Sequence, residues 1–276
     1  MRLPEDIDDC VRAALREDVG TGDITAGLIA ATAQSTARLI TRETAVLCGT
    51  AWFDAVFRQL DDRIAIHWQC ADGDDIAPDQ TLCTLAGPTR PLLTGERTAM
   101  NFLQTLSGTA TQTRHYAAAL RGTRTTLLDT RKTLPGLRSA QKYAVRCGGG
   151  GNHRLGLYDG ILLKENHIMA AGSVAAAVTA ARARHPEVTV EVEVETLDQL
   201  REAIAAGAHI ALLDNFDLPA MRAAVTLAAG AIKLEASGGV GLDTLRATAQ
   251  TGVDYISVGA LTKHVRAVDL SMRFLS

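Results

Sequence analysis

A strongly positive segment runs from Thr130 to Lys164 in a chain whose formal net charge is −3. It contains seven Lys and Arg residues and a single acid, Asp159. The cations are Arg131, Lys132, Arg138, Lys142, Arg146, Arg154 and Lys164. Guanidinium groups bind carboxylates in a bidentate manner, and the glycines from 148 to 151 allow a ligand to approach the backbone closely. The segment therefore predicts a binding site for a small polyanion.

Six of these cations fall into two groups, and the seventh, Lys132, directly follows Arg131. Arg131, Arg154 and Lys164 stand beside predicted strand ends or glycine turns, and His153 precedes Arg154, so these side chains are candidate ligands of the polyanion. The other three cations follow at intervals of four residues between 138 and 146, which places them on one helix face. That face is either part of the site or an ordinary solvated surface.

Two glycine turns late in the chain predict a phosphate site. Ser237, Gly238 and Gly239 follow one predicted strand and precede a helix, and Gly259 follows the next strand. Backbone N–H groups at such a turn bind phosphate without any side chain. A lone Ser-Gly-Gly is more often a plain turn, but barrel enzymes commonly hold phosphate on their last two loops. Two turns in succession therefore favour a site.

Carboxylates mark two further strand ends. Glu193 and Asp214 are candidate ligands of ribose hydroxyls, directly or through Mg²⁺. Glu191, Glu193 and Glu195 alternate on one face of a strand, and such a face is either a solvated edge or the interior of a barrel. Unpaired carboxylates are costly in an interior, so the nearby phosphate site favours a functional role.

The elements that position these residues change character along the chain. Residues 1 to about 107 read as a mixed α/β unit, with helices in the first 25 residues and over Trp52–Leu60 and strands over Thr36–Val46 and Ile64–Gln69. A helix from Glu96 to Leu120 leads into the next unit. From about residue 125, short apolar runs alternate with alanine-rich helical segments, which predicts parallel strands joined by crossover helices.

Six such strands are predicted in this second unit. They are Thr125–Asp129, Gly160–Lys164, Val188–Val194, Ile210–Asp214, Ala231–Glu235 and Asp254–Val258. The number is short of the eight strands of a full barrel, so counting leaves a barrel and an open sheet both possible. Polar residues at almost every strand end favour the barrel, whose active site lies at that edge.

Composition excludes several classes of protein. The chain has 276 residues, 47% of them hydrophobic, which excludes a disordered chain. The slight negative charge and the 4% aromatic content argue against a nucleic-acid partner. Acids near the N-terminus do not fit a secretory signal, and no apolar run is long enough to span a membrane. Five cysteines without a CxxC pair predict a soluble protein of the reducing cytoplasm.

The motifs that carry these features resemble those of the quinolinate phosphoribosyltransferase family, the carboxylating nicotinate-nucleotide pyrophosphorylases of NAD synthesis. The matching stretches are Glu17–Thr25, Glu96–Gln104, Asp129–Arg138, Lys142–Arg154, Leu163–His167, Leu212–Phe216 and Glu235–Gly239. They occur in the family's order and extend over nearly the whole chain. Leu134 stands where the family commonly has Thr, and Gly151 lies at a variable position, but neither departure removes a charge.

The resemblance implies a fold and an assembly. An N-terminal α/β sandwich domain would cover residues 1–107 and be joined by the segment 265–276, and an incomplete α/β barrel of about seven strands would cover residues 108–264. This arrangement is the type II phosphoribosyltransferase fold. It also implies a homodimer in which Arg97 reaches the active site of the neighbouring subunit, with no membrane or nucleic acid involved.

The resemblance also implies a reaction, the Mg²⁺-dependent transfer of phosphoribosyl from 5-phosphoribosyl 1-pyrophosphate (PRPP) to quinolinate with loss of CO₂. The quinolinate pocket would be lined by Arg97, Thr130, Arg131, His153, Arg154 and Lys164. The PRPP site would contain Lys132, Glu193, Asp214, Ser237, Gly238, Gly239 and Gly259. The candidate catalytic residues are Lys132, Lys164, Glu193 and Asp214, and of these Glu193 and Asp214 would hold Mg²⁺, directly or through water.

Other functions remain open at this stage. A phosphoribosyltransferase of the same fold acting on another aromatic acid, such as the ModD-like proteins encoded with molybdate transport systems, is the nearest alternative. An enzyme specific for nicotinate would need to hold only one carboxylate, so the cations would exceed its needs. A barrel aldolase explains Lys164 and the phosphate turns but not the arginines, and a non-catalytic sensor or scaffold predicts binding without turnover.

Overall fold

A computed structural model of the chain describes residues 1–275. The fold divides into two compact units. The first comprises Met1–Arg114, Thr133–Gly149 and the residues from Leu261 onward, and the second comprises His115–Lys132 and Gly150–Ala260. Within the described chain, no helix combines the length and the hydropathy that a membrane span requires.

The strands and helices are numbered in chain order. The strands are β1 (Gln34–Thr41), β2 (Ala45–Val46), β3 (Ala65–Trp68), β4 (Asp75–Ile76), β5 (Thr81–Pro88), β6 (Thr126–Leu128), β7 (Ile161–Leu163), β8 (Val190–Val194), β9 (Ile210–Leu213), β10 (Lys233–Ala236), β11 (Tyr255–Ser257) and β12 (Leu270–Leu275). The helices are α1 (Ile7–Val19), α2 (Thr50–Leu60), α3 (Thr89–Ala119), α4 (Arg138–Cys147), α5 (Glu165–Ala171), α6 (Val174–Arg184), α7 (Leu197–Ala205), α8 (Leu218–Ala228), α9 (Leu242–Ala249) and α10 (Ala260–Lys263).

The first unit is built on an antiparallel sheet with the strand order β12-β1-β5-β3. Its core contains the fully buried aromatic residues Trp52 and Phe53 of α2, which pack with residues of α1, α3 and α4. The predicted strand Thr36–Val46 is interrupted after β1, and only Ala45–Val46 returns to extended pairing, with β4. The last strand, β12, pairs with β1, so the end of the described chain belongs to this unit.

Helix α4 carries the three cations that the sequence places on one helix face. Lys142, in the middle of that face, is only 1% exposed, so the interpretation of a solvated surface is wrong for this residue. Arg146 lies over the ring of Tyr143, 5.8 Å from its centroid, and donates to the backbone oxygen of Arg2. Helical spacing shows which side chains share a face, but it does not show whether another element covers them.

The second unit is a parallel sheet with the strand order β6-β11-β10-β9-β8-β7. All six predicted strands are present, although each is shorter than its apolar run. An isolated parallel bridge joins Gly151 to Leu128 at the end of β6. The sheet has six strands besides this bridge, whereas the resemblance implies about seven. Since β8 lies inside the sheet, the alternative of a solvated edge for its alternating glutamates is wrong.

This sheet is curled. Four strand spacings separate β8 from β6 in the sheet order. In a flat sheet, a residue beside β6 would therefore lie roughly 19 Å or more from β8. His153 follows the bridge at Gly151, yet its Nε2 is 2.8 Å from Oε2 of Glu191 on β8. The curvature therefore brings the side chains of distant strands together on one concave face, as in a barrel.

Candidate active site

The carboxyl ends of three neighbouring strands carry Lys164, Glu193 and Asp214. Glu193 pairs in register with Leu212, so Glu193 and Asp214 lie on the same face of adjacent strands. Lys164 follows β7, and its Nζ donates to Oε2 of Glu193 over 2.9 Å. Asp214 accepts from the side-chain amide of the adjacent Asn215. The sheet thus brings together three of the four candidate catalytic residues.

Arg131 and Arg154 form a second group at this unit's sheet. Burial, and next the positive charge of Arg131, lower the pKa of Arg154, so the two guanidinium groups lie close enough to repel. The carboxylates of Glu191 and Asp159 act in the opposite direction. Nε of Arg131 is buried and has no hydrogen-bond partner among the described residues. An anion bound between the two groups would relieve both the repulsion and the unpaired donor.

The backbone that carries Arg154 is held by Asp129, which is fully buried directly after β6. One of its carboxylate oxygens accepts the backbone N–H of His153 at 2.8 Å, and the other accepts the side-chain amide of Asn152 at 2.7 Å. Nη1 of Arg154 donates to the carbonyl oxygen of Gly160. These contacts fix a turn that a run of four glycines would otherwise leave with much conformational freedom.

The two glycine turns of the predicted phosphate site are adjacent. They follow the neighbouring strands β10 and β11, and Oγ of Ser257 is 3.0 Å from Oγ of Ser237. Gly238 and Gly239 have φ values of 87° and 65°, which residues with a side chain adopt only at a cost. Both glycines are exposed at the end of β10, as the backbone of a phosphate-binding loop must be.

Gly259 lies beside Lys132 in the same unit. A Cβ added at Gly259 would stand 2.9 Å from Cδ of Lys132, so the glycine permits the lysine stem to cross the turn. The backbone N–H of Lys132 donates to Oγ1 of Thr130. The loop after β6 therefore reaches the loop after β11, and Lys132 lies beside the turn at Gly259.

A buried cluster beneath these residues was not predicted as part of the site. His153 contacts Glu191 at 2.8 Å and Glu235 at 3.6 Å, and the two glutamates are 2% and 1% exposed. Oε1 of Glu191 has no hydrogen-bond partner among the described residues, and the carboxyl group of Glu235 interacts with the side chains of Ser257 and Glu191. The cluster lines a cavity of about 260 Å³ near the beginnings of β7, β8, β9 and β11. Of the predicted site residues, His153 and Arg154 line this cavity.

The distances in this cluster would suit a metal ion, because one ligand atom from each side chain lies within 4.8 Å of the others. The hydrogen bonds of His153 argue against such an ion. Its Nδ1 accepts the backbone N–H of Arg154 at 2.8 Å, so in neutral histidine the proton resides on Nε2. A protonated Nε2 cannot ligate a metal. We therefore interpret the cluster as a hydrogen-bonded group of side chains and not as a metal site.

Burial, and next the charge of Glu191, raise the pKa of Glu235 from 4.5 to about 7. Between these values the folded state retains a proton that the unfolded state has lost, so stability falls as pH rises through this window, by on the order of 3 kcal/mol. Glu235→Gln should therefore stabilise the protein more at pH 8 than at pH 5. Thermal midpoints of both proteins at the two pH values, with exposed Glu195→Gln as control, test this expectation. Parallel pH profiles for wild type and Glu235→Gln would contradict it.

Arg97 is the predicted site residue that lies in the first unit, where it is exposed on α3. The residues that sequence reasoning left out of the site are Asp129, Asn152, Glu191 and Glu235. Asp129 and Glu235 carried a usable signal, since each is an acid at the end of an apolar run. Nothing in the spacing indicated that Glu191 would meet a side chain more than thirty residues away.

Comparison with known proteins gives a consistent result over both units. Residues 23–107 match the model of the N-terminal domain of quinolinate phosphoribosyl transferase, and residues 109–273 match that of its C-terminal domain. A probable nicotinate-nucleotide pyrophosphorylase (carboxylating) of Bacillus subtilis is 45% identical over 93% of this chain and 89% of its own length. The corresponding protein of Mycobacterium leprae is 43% identical over 96% of this chain and 95% of its own length.

A solved structure supports the same assignment. The nicotinate-nucleotide pyrophosphorylase from Francisella tularensis superposes with a TM-score of 0.96 and is 49% identical. The match covers 99% of this chain and 98% of that chain. The predicted fold class, an N-terminal α/β sandwich domain with an incomplete α/β barrel, is thereby confirmed. The sheet of the first unit is antiparallel, and that of the second is parallel with six strands.

Proposed function

Since the chain belongs to the quinolinate phosphoribosyltransferase family, we propose that it transfers phosphoribosyl from PRPP to quinolinate, with release of CO₂ and pyrophosphate, to form nicotinate mononucleotide. The protein is a pentosyltransferase of the nicotinate-nucleotide diphosphorylase (carboxylating) type. The observation that best supports quinolinate as the acceptor is the arginine pair. A dicarboxylate supplies negative charge that offsets the repulsion between Arg131 and Arg154 and an acceptor for the unpaired Nε of Arg131. The reaction serves de novo NAD synthesis, and we expect it in the cytoplasm.

In this proposal the acceptor lies against the cations of the second unit. Arg131, Arg154 and Lys164 bind the two carboxylates of quinolinate, with Thr130 and His153 beside them. Lys132 lies between this pocket and the glycine turns, where its ammonium group interacts with the pyrophosphate. Positive charge at these positions orients the ring nitrogen toward C1 of the ribose and lowers the barrier by positioning.

The donor lies at the carboxyl ends of β8 to β11. Ser237, Gly238, Gly239 and Gly259 bind the 5′-phosphate through the turn backbone. Glu193 and Asp214 hold the ribose hydroxyls and Mg²⁺. Their carboxylate oxygens suit this ion, which is typically bound by one or two carboxylates together with substrate phosphates. When bound, Mg²⁺ neutralises charge on the departing pyrophosphate.

The chemistry requires electrostatic stabilisation more than a strong base. The bond between ribose C1 and the pyrophosphate oxygen breaks, and the pyridine nitrogen attacks the oxocarbenium-like carbon. The positive charge of the quaternised nitrogen then stabilises the electron pair that stays on the adjacent ring carbon as its carboxylate leaves as CO₂, and that carbon takes up a proton. Cations around the departing pyrophosphate stabilise the negative charge that develops on it. This demand accounts for a site rich in Arg and Lys.

The family resemblance also leads us to propose a homodimer in which Arg97 of one subunit completes the acceptor pocket of the other. The exposed position of Arg97 on α3 is compatible with this role. In the free subunit its guanidinium is accessible for a ligand bound on a neighbouring copy.

A direct assay tests the reaction. Purified protein is incubated with PRPP, Mg²⁺ and either quinolinate or nicotinate, and nicotinate mononucleotide and CO₂ are followed together. We expect product from quinolinate with equal amounts of CO₂, and little turnover of nicotinate. Turnover of nicotinate alone would overturn the acceptor assignment, and failure with both would favour another aromatic acid.

A further inference from the structure

The ring of His153 is held at both of its nitrogens by the protein. Its Nδ1 is 2.8 Å from the backbone nitrogen of Arg154, and that N–H group can only donate. Nδ1 therefore bears no proton, and the ring is neutral with its proton on Nε2. Nε2 is 2.8 Å from Oε2 of Glu191, which accepts this proton in a hydrogen bond. The geometry thus fixes both the protonation and the tautomer of His153.

The direction of the ring also matters. Glu191 lines the cavity together with first residues of β7, β9 and β11, whereas Glu235 is level with Glu193, because both pair in register with Leu212 of β9. Nε2 of His153 is engaged by Glu191 within this cavity. A neutral ring engaged in this manner supplies no positive charge to a dicarboxylate.

We propose that Glu191 is a positioning residue for the acceptor site, which acts by holding His153 as a neutral hydrogen-bond acceptor for the backbone of Arg154. This inference rests on the proposed function for the identity of the acceptor. His153 then acts through Arg154, whose guanidinium group touches the substrate, and not as a charged ligand. The route from Glu191 through His153 to Arg154 consists of two hydrogen bonds of 2.8 Å.

Glu235 completes the arrangement from the other side of Glu191. It is 1% exposed, it interacts with the side chains of Ser257 and Glu191, and it lies 3.6 Å from Nε2 of His153. Two ionised carboxylates at such close range in a buried cavity are costly, and burial together with Glu191 raises the pKa of Glu235 to about 7. A proton on Glu235 relieves this cost.

The main contacts of the surrounding turn do not replace this route. Asp129 binds the backbone N–H of His153 and the side chain of Asn152, and Gly160 accepts from the guanidinium of Arg154. These bonds hold the turn on both sides of the Arg154 amide. Nδ1 of His153 is the acceptor that the structure gives to that amide itself.

The test uses three variants of the full-length protein. Glu191→Gln retains an oxygen that can accept from Nε2, whereas Glu191→Met has a similar length and no acceptor. His153→Asn places an amide oxygen near the position of Nδ1 and has no counterpart of Nε2. Nitrogen NMR of histidine-labelled protein, assigned by comparison with His153→Asn, reports which ring nitrogen carries the proton. Circular dichroism and thermal melting establish that each variant is folded.

We expect the free wild-type protein and Glu191→Gln to show His153 protonated at Nε2 alone, and Glu191→Met to show a mixture of forms. The KM for the acceptor should rise about 10-fold or more in Glu191→Met, because a buried donor is left unpaired, with kcat changed less than about 3-fold. Glu191→Gln should restore KM to near the wild-type value. In the His153→Asn background, Glu191→Met should add no further rise in KM.

The NMR result separates this inference from the proposed function, since it requires no substrate. A His153 ring protonated at Nδ1 or at both nitrogens in free wild-type protein would overturn the inference, whatever the acceptor is. An equal rise in KM for Glu191→Gln and Glu191→Met, or additive effects with His153→Asn, would also overturn it. If quinolinate is not turned over while the tautomer is as expected, only the proposed function fails.

Discussion

Arg131→Ala and Arg154→Ala should each raise the KM for quinolinate by about 30-fold to 1000-fold and leave the KM for PRPP within about 3-fold. Each substitution removes one partner of a charge-assisted, partly buried hydrogen-bonded pair, and such losses typically cost about 2–4 kcal/mol. The effect should be confined to the acceptor because the glycine turns that we propose bind the 5′-phosphate belong to other strands. Steady-state kinetics with each substrate varied in turn, together with calorimetric binding, provide the measurement.

Arg131→Ala should not destabilise the free protein. Burial, and next the charge of Arg131, lower the pKa of Arg154, so in the absence of substrate the two groups repel each other. Arg131→Ala removes this repulsion and should leave the thermal midpoint unchanged or raise it while binding falls, a pattern typical of functional groups held under strain. Arg184→Ala, on the exposed end of α6, serves as the matched control and should change neither quantity. Equal losses of affinity for both substrates would refute the assignment of the arginines to the acceptor.

The arginine pair also illustrates what the sequence was able to predict. Arg131 and Arg154 stand beside a strand end and a glycine run, and parallel strands necessarily present their carboxyl ends at one edge. The glycine turns at Gly238 and Gly239 were predictable for the same reason, because each follows an apolar run of strand length. These features depend on local pattern and on the rule that successive strands of a barrel are neighbours.

The cluster around Glu191 depends on information that local pattern does not contain. Its contact with His153 arises because the sheet curls and because a single bridge at Gly151 places that segment beside β6. The burial of Lys142 was unpredictable for a related reason, since an interval of four residues fixes the face of α4 but not what covers it. The curvature of the sheet and the packing of other elements determine such contacts and burial, whereas the periodicity of the sequence determines only the helices and strands.

Glu193→Gln and Asp214→Asn should each lower kcat/KM for PRPP by about 100-fold or more and shift the Mg²⁺ requirement to higher concentration. A carboxylate that holds the metal and the ribose hydroxyls contributes most where charge develops on the leaving pyrophosphate, and loss of one such group commonly costs about 100-fold to 1000-fold. Calorimetric titration of PRPP with and without Mg²⁺ reports the binding step independently of turnover. Glu195→Gln, exposed just after the same strand, is the control and should resemble the wild type.

Glu193→Gln also breaks the 2.9 Å ion pair with Lys164, and that effect must be separated from loss of the metal. Lys164→Met removes the same pair while leaving the carboxylate in place. If Glu193 holds Mg²⁺, Lys164→Met should weaken the binding of quinolinate and retain the wild-type dependence of PRPP binding on Mg²⁺. If the two variants instead show the same Mg²⁺ profile, the ion pair accounts for the effect, and Glu193 is not a metal ligand. Asp214 has no such cation partner among the described ion pairs, so its variant isolates the contribution of the carboxylate itself.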